Sequence, residues 1–472
     1  MELSWYRAEY AEELLRLARS GSGTEEPSDE RLNVLRLRGE RPAHGFLSAD
    51  IVFGAGYALR QDAENVFTRA FGIRAMGYAS EYLGASLRWY DNGRRGIPYD
   101  AGARRVPEQG IVKGPSKDVD RYDWEVAEGQ FTFSLPWLRL GLQKADLWWG
   151  SGRTGAVILS DKAPSFPAMN LHVLITDWLR LDYMHGWLFS DTLEAYINFT
   201  GPGAVEGLQY FENKFFAAHA ITARVMPSLQ VALGESIVYN GGSVNPLFLL
   251  PVLPFRAADR WTRATTGNAQ LFADLRWRAL PSVIVYGTGY IDELDYSKIM
   301  ASDKTGFDYH VAYTVGGLLT DAYTHWLPLA SETRVEFSRV YPYVYTNPKP
   351  VQRYSSHNVV LGHWIGANAD ILFLSHTVHP LRAVDVTGAV SFARYGQSDM
   401  FLPAGPRTQP AFLYGHEYSQ RNLELRIRWM PLHDLYAVAT VRHVAIQPGE
   451  GYKTSVEPEG LTISLRAAYG LW

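Results

Sequence analysis

The chain has 472 residues, a formal net charge of -4 and no Cys. The lack of Cys excludes disulfides, thiolate catalysis and Cys-ligated zinc, and the small negative charge gives no sign of nucleic-acid binding. No apolar run approaches the roughly 20 residues that a membrane helix needs. Any crossing of a membrane would therefore have to be made by β-strands, whose sequence signal is weaker.

Residues 1–43 differ from the rest of the chain. Apolar residues over 2–18 recur at the spacing of an amphipathic helix, and a second short helix is predicted over 29–38. We expect this segment to be a small helical element on the periplasmic side, followed by a β-barrel of residues 44–472. Met1 is followed directly by charged and aromatic residues and no signal peptide is recognisable, which indicates that a signal has been cut away or that the start of the gene is missing.

From residue 46 onward the sequence predicts about eighteen β-strands, because apolar and polar residues alternate in short runs separated by turn residues. Residues 423–429 show the pattern most clearly, with apolar side chains at odd positions and charged ones at even positions. Long loops alternate with short turns, and several of the short turns contain Pro: residues 135–137, 226–228, 280–282 and 430–432. Short turns on one side and long loops on the other are typical of a bacterial outer-membrane β-barrel.

The alternation alone also fits a soluble β-protein, whose apolar face would form a core rather than meet lipid. The turn and loop asymmetry and the 13% aromatic content favour an all-β transmembrane barrel of about 18 antiparallel strands. The chain ends in Tyr469-Gly470-Leu471-Trp472, and a terminal aromatic residue resembles the assembly signal of outer-membrane barrels. We therefore expect a monomer in the outer membrane, in contact with outer-membrane lipids and inserted by the barrel assembly machinery.

The polar faces of the predicted strands carry charges of both signs, which would face the lumen of a barrel. Buried charges need partners, so we expect cross-strand ion pairs there. The alternative is a selective water channel lined by opposed rows of charge. The charged residues concerned are Asp274, Arg276, Arg278, Glu332, Arg334, Glu336, Glu424, Arg426 and Arg428.

If the N-terminus is periplasmic, the long loops are extracellular, and three of them contain candidate glycan-binding side chains. Arginine forks pair well with the carboxylates of acidic polysaccharides, and flat tyrosine rings can stack on sugars. The candidates are Arg94, Arg95, Arg104, Arg105 and Lys113 in a basic loop, Tyr341, Tyr343, Tyr345 and Tyr354 in an aromatic loop, and Phe401, Arg407 and Tyr414 in a third loop. The alternatives are a solvated loop for the basic residues and an interfacial girdle for the rings.

Two weaker patterns concern metal binding and catalysis. His376 and His379 could offer metal ligands, but they lie at a predicted tight turn. Ser356-His357-Asn358 contains the residue types of outer-membrane lipases, yet adjacent residues on one strand end cannot form a triad by themselves. We expect no metal, no cofactor and no enzymatic activity.

Three stretches resemble the Wzi-type capsule assembly proteins. Residues 149–167 (WGSGRTGAVILSDKAPSFP) are similar to a family segment that reads roughly WGPG and then LLSNNAPPFP, and residues 234–246 and 361–370 are similar to its GE…Y…NP and LGH.IG.DAD stretches. The chain departs from the pattern at Ser151, at Asp161-Lys162 and at Asn368. The motif positions are Trp149, Gly150, Gly152, Ser160, Asp161, Pro164, Pro167, Glu235, Tyr239, Asn245, Pro246, Gly362, His363 and Gly366.

This resemblance implies an outer-membrane barrel that acts as a surface lectin, binding capsular polysaccharide or exopolysaccharide and helping to attach or assemble it at the cell surface. Loop sequence sets the ligand, so the identity of the glycan is not implied. The competing function is an outer-membrane porin or transporter for small polar solutes. We expect residues 149–167 to fold into the barrel mouth and narrow it, and Glu235 to face the lumen through a bulge at Gly234.

Overall fold

The computed structural model describes residues 46–61, 63–80, 82–96, 108–110, 121–197, 208–261, 267–294, 309–321, 329–398, 410–432, 434–451 and 459–470. The predicted helical segment, residues 1–43, lies outside them. In chain order the strands are β1 (Phe46–Arg60), β2 (Val66–Tyr78), β3 (Leu83–Arg95), β4 (Arg121–Ser134), β5 (Leu138–Ala145), β6 (Phe166–Thr176), β7 (Leu179–Leu188), β8 (Leu193–Ile197), β9 (Leu208–Phe211), β10 (Lys214–Met226), β11 (Leu229–Asn240), β12 (Gly267–Leu280), β13 (Val283–Leu294), β14 (Tyr309–Thr320), β15 (Ala330–Val340), β16 (Ser355–Ser356), β17 (Val359–Val360), β18 (Ala369–Leu381), β19 (Val384–Tyr395), β20 (Tyr418–Leu432), β21 (Leu435–Pro448) and β22 (Gly460–Tyr469).

Eighteen of these strands form one closed antiparallel sheet, and β8–β9 and β16–β17 are two small separate hairpins. Each wall strand pairs with its neighbours along the chain, and β1 closes the barrel by pairing with β22 as well as with β2. Closure leaves no unpaired strand edge. The predicted eighteen-stranded barrel is thereby confirmed.

The turn and loop rhythm predicted from the sequence is also present, with one correction at its last short turn. Connections of two residues join β6 to β7, β10 to β11 and β12 to β13, whereas β5 and β6 are separated by residues 146–165. Residues 430–432, predicted to form a turn, belong to the end of β20, and the connection to β21 follows them. The strand register is irregular between Trp429 and Leu432, where Pro431 cannot donate a backbone hydrogen bond.

The wall has an apolar outer face and a charged inner face. On β20, Leu423, Leu425 and Ile427 are exposed, while Glu424 and Arg426 alternate with them on the opposite face. Exposed apolar side chains in such a continuous band are the expected surface for lipid contact. Among the described residues, no helix is long and apolar enough to cross a membrane.

Two long loops fold inward at the loop side and fill part of the lumen. They are residues 146–165, between β5 and β6, and residues 341–368, between β15 and β18, and together we call them the plug. Val157, Ile158 and Leu159 at its centre are fully buried and pack against inward-facing wall residues such as Phe216 and Phe272. The largest apolar core of the described residues therefore lies inside the barrel.

A third long loop covers the outer face of the wall instead. Residues 241–261, the cover loop, contain the 3-10 helix Pro246–Leu249 and the helix Phe255–Trp261. Phe248 and Phe255 pack with Tyr183, Phe215 and Ile237, which point away from the lumen. This second apolar core shields the loop-side ends of β7, β10 and β11 from their surroundings.

The cover loop explains why the predicted orientation of Glu235 is wrong. The register of β11 runs without a shift through Gly234, so Glu235 lies on the outer face with Leu233 and Ile237. Its Oε1 accepts a 2.9 Å hydrogen bond from the Phe255 backbone N–H and lies 3.1 Å from His219 Nε2. No bulge is needed, because the cover loop supplies polar partners on the outer side.

Candidate functional site

Two wall carboxylates hold the tip of the first plug loop inside the barrel. Asp274 accepts hydrogen bonds from the Ser151 backbone N–H, at 2.8 Å, and from its hydroxyl, at 2.7 Å. Glu336 accepts bonds from the backbone N–H groups of Arg153, at 2.7 Å, and Thr154, at 2.8 Å. The prediction that Asp274 and Glu336 form cross-strand ion pairs is therefore wrong, because backbone N–H groups of the plug are the partners of both carboxylates.

Tyrosines of the second plug loop lock it to the first. The Tyr345 hydroxyl donates to the Val157 carbonyl and the Tyr354 hydroxyl to the Ile158 carbonyl, each at 2.7 Å. Tyr345 is 1% exposed and Tyr354 is 0% exposed. Both were predicted to bind glycan or to join the interfacial girdle, and their burial rules out both roles.

Glycines allow the two plug loops to approach each other closely. A Cβ on Gly155 would lie 2.7 Å from the His363 imidazole, and one on Gly362 would overlap the Tyr345 ring. Burial lowers the pKa of His363 to about 3, so the ring is neutral. Its Nδ1 accepts a bond from the Ile365 N–H, while no partner for Nε2 lies within the described residues.

Most motif positions of the sequence analysis lie in this plug. Ser160 Oγ donates to the Gly362 carbonyl at 2.6 Å, and Trp149 pairs with Leu159 in a backbone bridge. Burial raises the pKa of the Asp161 carboxyl. The other plug positions are Gly150 and Gly366, with φ of 113° and 71°, together with Gly152 and Pro164. Pro167 is the second residue of β6.

The remaining motif positions lie at the cover loop. Asn245 caps the 3-10 helix, accepting a bond from the Leu247 N–H, and Pro246 is the first helical residue. The Tyr239 hydroxyl lies 2.8 Å from His185 Nε2 on the outer face of the wall. These contacts stabilise two loop structures, the plug and the cover loop.

A polar pocket of about 300 Å³ lies at the barrel mouth beside the plug. Lys214, on the inner face of β10, and Arg353, from the second plug loop, are only 4% and 7% exposed there. Lys214 Nζ donates a 3.2 Å hydrogen bond to Ser355 Oγ. We call this the mouth pocket, and its lining residues are Asp191, Thr192, Lys214, Pro350, Arg353, Ser355 and Asn358.

The mouth pocket combines two cations with one carboxylate, two hydroxyls and an amide. Cations held this deep lose hydration, so an anion that enters gains a strong charge-assisted hydrogen bond. Sequence reasoning missed these residues because Lys214 is an isolated cation at the start of a strand. Arg353 reaches it only through the fold of the plug.

A larger cavity of about 740 Å³ lies in the lumen, next to a different set of wall strands from β10, which lines the mouth pocket. Inward-facing residues of β1–β3, β15 and β18–β22 line it, and they include charges of both signs. Arg94, predicted to lie in an extracellular loop, is one of them, and its Nη1 donates to the Tyr122 hydroxyl at 3.1 Å. Arg95 follows on the exposed side of β3.

The lumen charges pair in different ways. Arg428 Nε on β20 donates a 2.6 Å hydrogen bond to Asp385 on the neighbouring strand β19. Arg426 pairs with Glu424, and Arg334 with Glu332, each within one strand. Arg276 lines a small cavity next to Ser151 and Asp274. Arg278 is exposed near the turn-side end of β12.

The other candidate glycan residues are dispersed. Tyr341 packs on Phe412 at 5.4 Å, Tyr343 lies 5.8 Å from the His310 ring, and Tyr414 is half-buried. The remaining candidates lie outside the described residues: Arg104, Arg105, Lys113, Phe401 and Arg407.

The lipase-like and metal-like patterns hold loops and strands together. Ser356 Oγ accepts a bond from the Phe189 N–H, and the His357 ring stacks on Phe189 at 4.3 Å. His376 and His379 lie on β18 rather than in a turn, next to Thr333 and Asp385. No group of three or more His, Asp or Glu that could hold a metal ion occurs in the described part of the chain.

No protein-family model and no curated protein sequence matches the chain. Its structure is similar to that of Wzi from Escherichia coli, an outer-membrane protein described as a carbohydrate-binding β-barrel involved in group 1 capsule assembly. The TM-score is 0.56 at 12% identity, over 89% of this chain and 84% of that one.

Two Pseudomonas proteins are similar at lower scores. OccK3 from Pseudomonas aeruginosa has a TM-score of 0.45 at 11% identity, over 90% and 96% of the two chains. A BenF-like porin from Pseudomonas fluorescens Pf-5 has 0.48 at 9% identity, over 90% and 98%. The likeness to Wzi shows the fold, that of an outer-membrane type of β-barrel.

Proposed function

We propose that the protein is an outer-membrane surface lectin of the Wzi type, which binds an acidic capsular polysaccharide or exopolysaccharide and helps attach it to the cell surface. The mouth pocket carries this proposal. Lys214 and Arg353 are both nearly buried, and they meet hydroxyl and amide groups in a space of about 300 Å³. Such a pocket fits one acidic sugar, with its carboxylate on the cations and its hydroxyls on Ser355, Thr192 and Asn358.

The plug supports a binding function over a conducting one. The plug packs against the wall through an apolar core of buried side chains. A polar solute would find no hydrogen-bonding partners there, so this part of the lumen does not suit its passage. Asp274 and Glu336 anchor the first plug loop. That loop is bonded to the second plug loop, which supplies Arg353 and Ser355 to the pocket. The plug thus serves to pre-organise the mouth pocket, which lowers the entropy cost of binding.

The resemblance to Wzi-type sequences agrees with this proposal, because the motif positions coincide with the plug. Ser160, Gly362 and His363 lie where the two plug loops meet. The likeness to Wzi extends over 89% of this chain, and that protein is described as binding carbohydrate.

A porin or transporter for small polar solutes is the second candidate function. The lumen cavity of about 740 Å³ favours it, since Arg428 and Asp385 line it together with other charges. Opposed charges along a lumen can select solutes. In that case the plug would act as a gate or constriction beside the open part of the lumen.

Calorimetric titration of the detergent-folded protein with acidic polysaccharide from its host distinguishes the two functions. A carboxyl-reduced sample of the same polysaccharide is the matched control. Saturable binding that is lost on carboxyl reduction supports the lectin. No binding, together with steady single-channel conductance in a planar bilayer, would replace it with the channel.

A further inference from the structure

The outer face of the wall carries a charged row where its apolar band ends. Arg339 on β15, Asp370 on β18 and Arg394 on β19 are successive register partners across three neighbouring strands. All three point away from the lumen. Side chains on one face of a strand recur at every second residue, and the exposed residues Val335, Leu374 and Val390 lie four positions from Arg339, Asp370 and Arg394 on the same strands.

The apolar band directly below this row is continuous. Leu372 and Val390 are 47% and 44% exposed, and Val335 and Leu374 beside them are also exposed. Towards the loops, Phe337, Leu372 and Phe392 form the last apolar row before the charges. Since long loops mark the extracellular side of such barrels, the charged row lies where hydrocarbon gives way to outer-leaflet headgroups.

One carboxylate aligns two guanidinium groups in this row. Arg339 Nη2 lies 2.9 Å from Asp370 Oδ2, and Arg394 bonds to both oxygens of Asp370, at 3.0 and 2.6 Å. Asp370 is itself nearly buried, whereas Arg394 retains an exposed edge. Two positive charges share one negative charge, so the row carries a surplus positive charge.

Aromatic rings hold the arginines against the wall. The Arg339 guanidinium lies 4.3 Å from the Phe412 ring centre and 5.4 Å from that of Phe337. Arg421, in the next row down, lies over Phe392 at 5.6 Å and is exposed. Planar guanidinium groups fixed beside apolar surface are suited to bind phosphate oxygens while acyl chains contact the rings.

A second charged cluster on the outer face has equal numbers of positive and negative charges. On the far side of the barrel, Arg69 lies 3.5 Å from Asp91 and 3.4 Å from Asp123, and Arg121 lies 3.1 Å from Asp123. Arg95 and Glu125 lie on the same face as register partners of Arg121 and Asp91, so three arginines face three carboxylates and their charges cancel. The row at Arg339 differs because its positive charges exceed its negative ones.

We propose that Arg339, Arg394 and Arg421 bind the phosphate of an anionic glycolipid in the outer leaflet. The phosphate takes the free edges of the guanidinium groups, and the acyl chains lie along Phe337, Leu372 and Phe392. A soluble sugar phosphate offers the same charge but has no chains for this apolar row. The site is separate from the mouth pocket, on the opposite face of the wall.

The test measures binding of diphosphoryl lipid A to the detergent-folded protein by native mass spectrometry. The variant Arg339→Gln/Asp370→Asn/Arg394→Gln removes the charges without leaving the buried carboxylate unpaired. The matched control is Arg69→Gln/Asp123→Asn in the balanced cluster. We expect at least about tenfold weaker binding in the triple variant, from loss of charge-assisted bonds, and no change in the control.

Two further comparisons keep the result decisive. Arg421→Gln changes an exposed side chain outside the ion pair, so it tests the site even if the triple variant does not fold, and its affinity should also fall. Dephosphorylated lipid A should bind the wild type weakly. Equal affinity of wild type and variants, equal binding of the dephosphorylated lipid, or equally tight binding of glucosamine 1-phosphate would overturn the proposal.

Discussion

The Tyr345 hydroxyl donates a 2.7 Å hydrogen bond to the carbonyl of Val157, which is 188 residues away in the sequence. Tyr354 makes the equivalent bond to Ile158. These two bonds join the plug loops inside the barrel, where water cannot substitute for a lost partner. The position of the second plug loop, which supplies Arg353 to the mouth pocket, therefore depends on two buried hydroxyl groups.

Replacing both tyrosines by phenylalanine should loosen the plug while the barrel stays folded. Each change leaves one buried carbonyl without its donor, at a cost of about 1–3 kcal/mol. We expect Tyr345→Phe/Tyr354→Phe to show more frequent or larger conductance steps in planar bilayers. Tyr78→Phe, at an exposed position at the end of β2, is the control, and equal conductance of all three proteins would mean that these bonds do not hold the plug.

Gly155→Ala should destabilise the same plug by a steric route. The new Cβ would lie 2.7 Å from the His363 imidazole, which is fixed in the core, so one loop must shift. Gly388→Ala is the matched control, because nothing lies within 4 Å of a Cβ at that position. Limited proteolysis of the folded protein should cut the plug faster in Gly155→Ala only, and equal cleavage of the two variants would argue against tight packing.

Acidification should weaken the plug through His363. Burial lowers its pKa to about 3, against an ordinary value of 6.5. As the pH falls, His363 is protonated at a higher pH in the unfolded plug than in the folded one. The contribution of neutral His363 to plug stability is therefore complete above pH 6.5 and is lost as the pH falls towards 3. His363→Gln should flatten this dependence in hydrogen exchange of the plug amides between pH 7 and pH 4.5, and an unchanged slope would assign the effect to other groups.

The wall was predictable from the sequence because its signals are local. Alternation over a run such as residues 423–429 sets the two faces of a strand, and the spacing of turns sets the strand count. The inward fold of residues 149–167 also followed from local composition, since its glycines and apolar residues do not suit a solvated loop. No contact between distant segments was needed for these conclusions.

The errors arose where distant segments meet. Tyr345 and Tyr354 look like sugar-stacking rings in the sequence, and only the first plug loop shows that they are buried. Alternation placed Glu235 on the outer face correctly, but the expected bulge was introduced because the cover loop could not be foreseen. The mouth pocket was missed for the same reason, since Lys214 and Arg353 come together only in the closed fold.

The most direct test of the lectin proposal is the affinity of the mouth-pocket variants for the host's acidic polysaccharide. Titration calorimetry would compare the wild type with Lys214→Gln and Arg353→Gln, each checked for folding by heat-modifiable migration. Loss of one charge-assisted hydrogen bond of about 1.5–3 kcal/mol predicts roughly 10- to 100-fold weaker binding in each variant. Saturable binding of unchanged affinity in both variants would contradict the assignment of the glycan to this pocket.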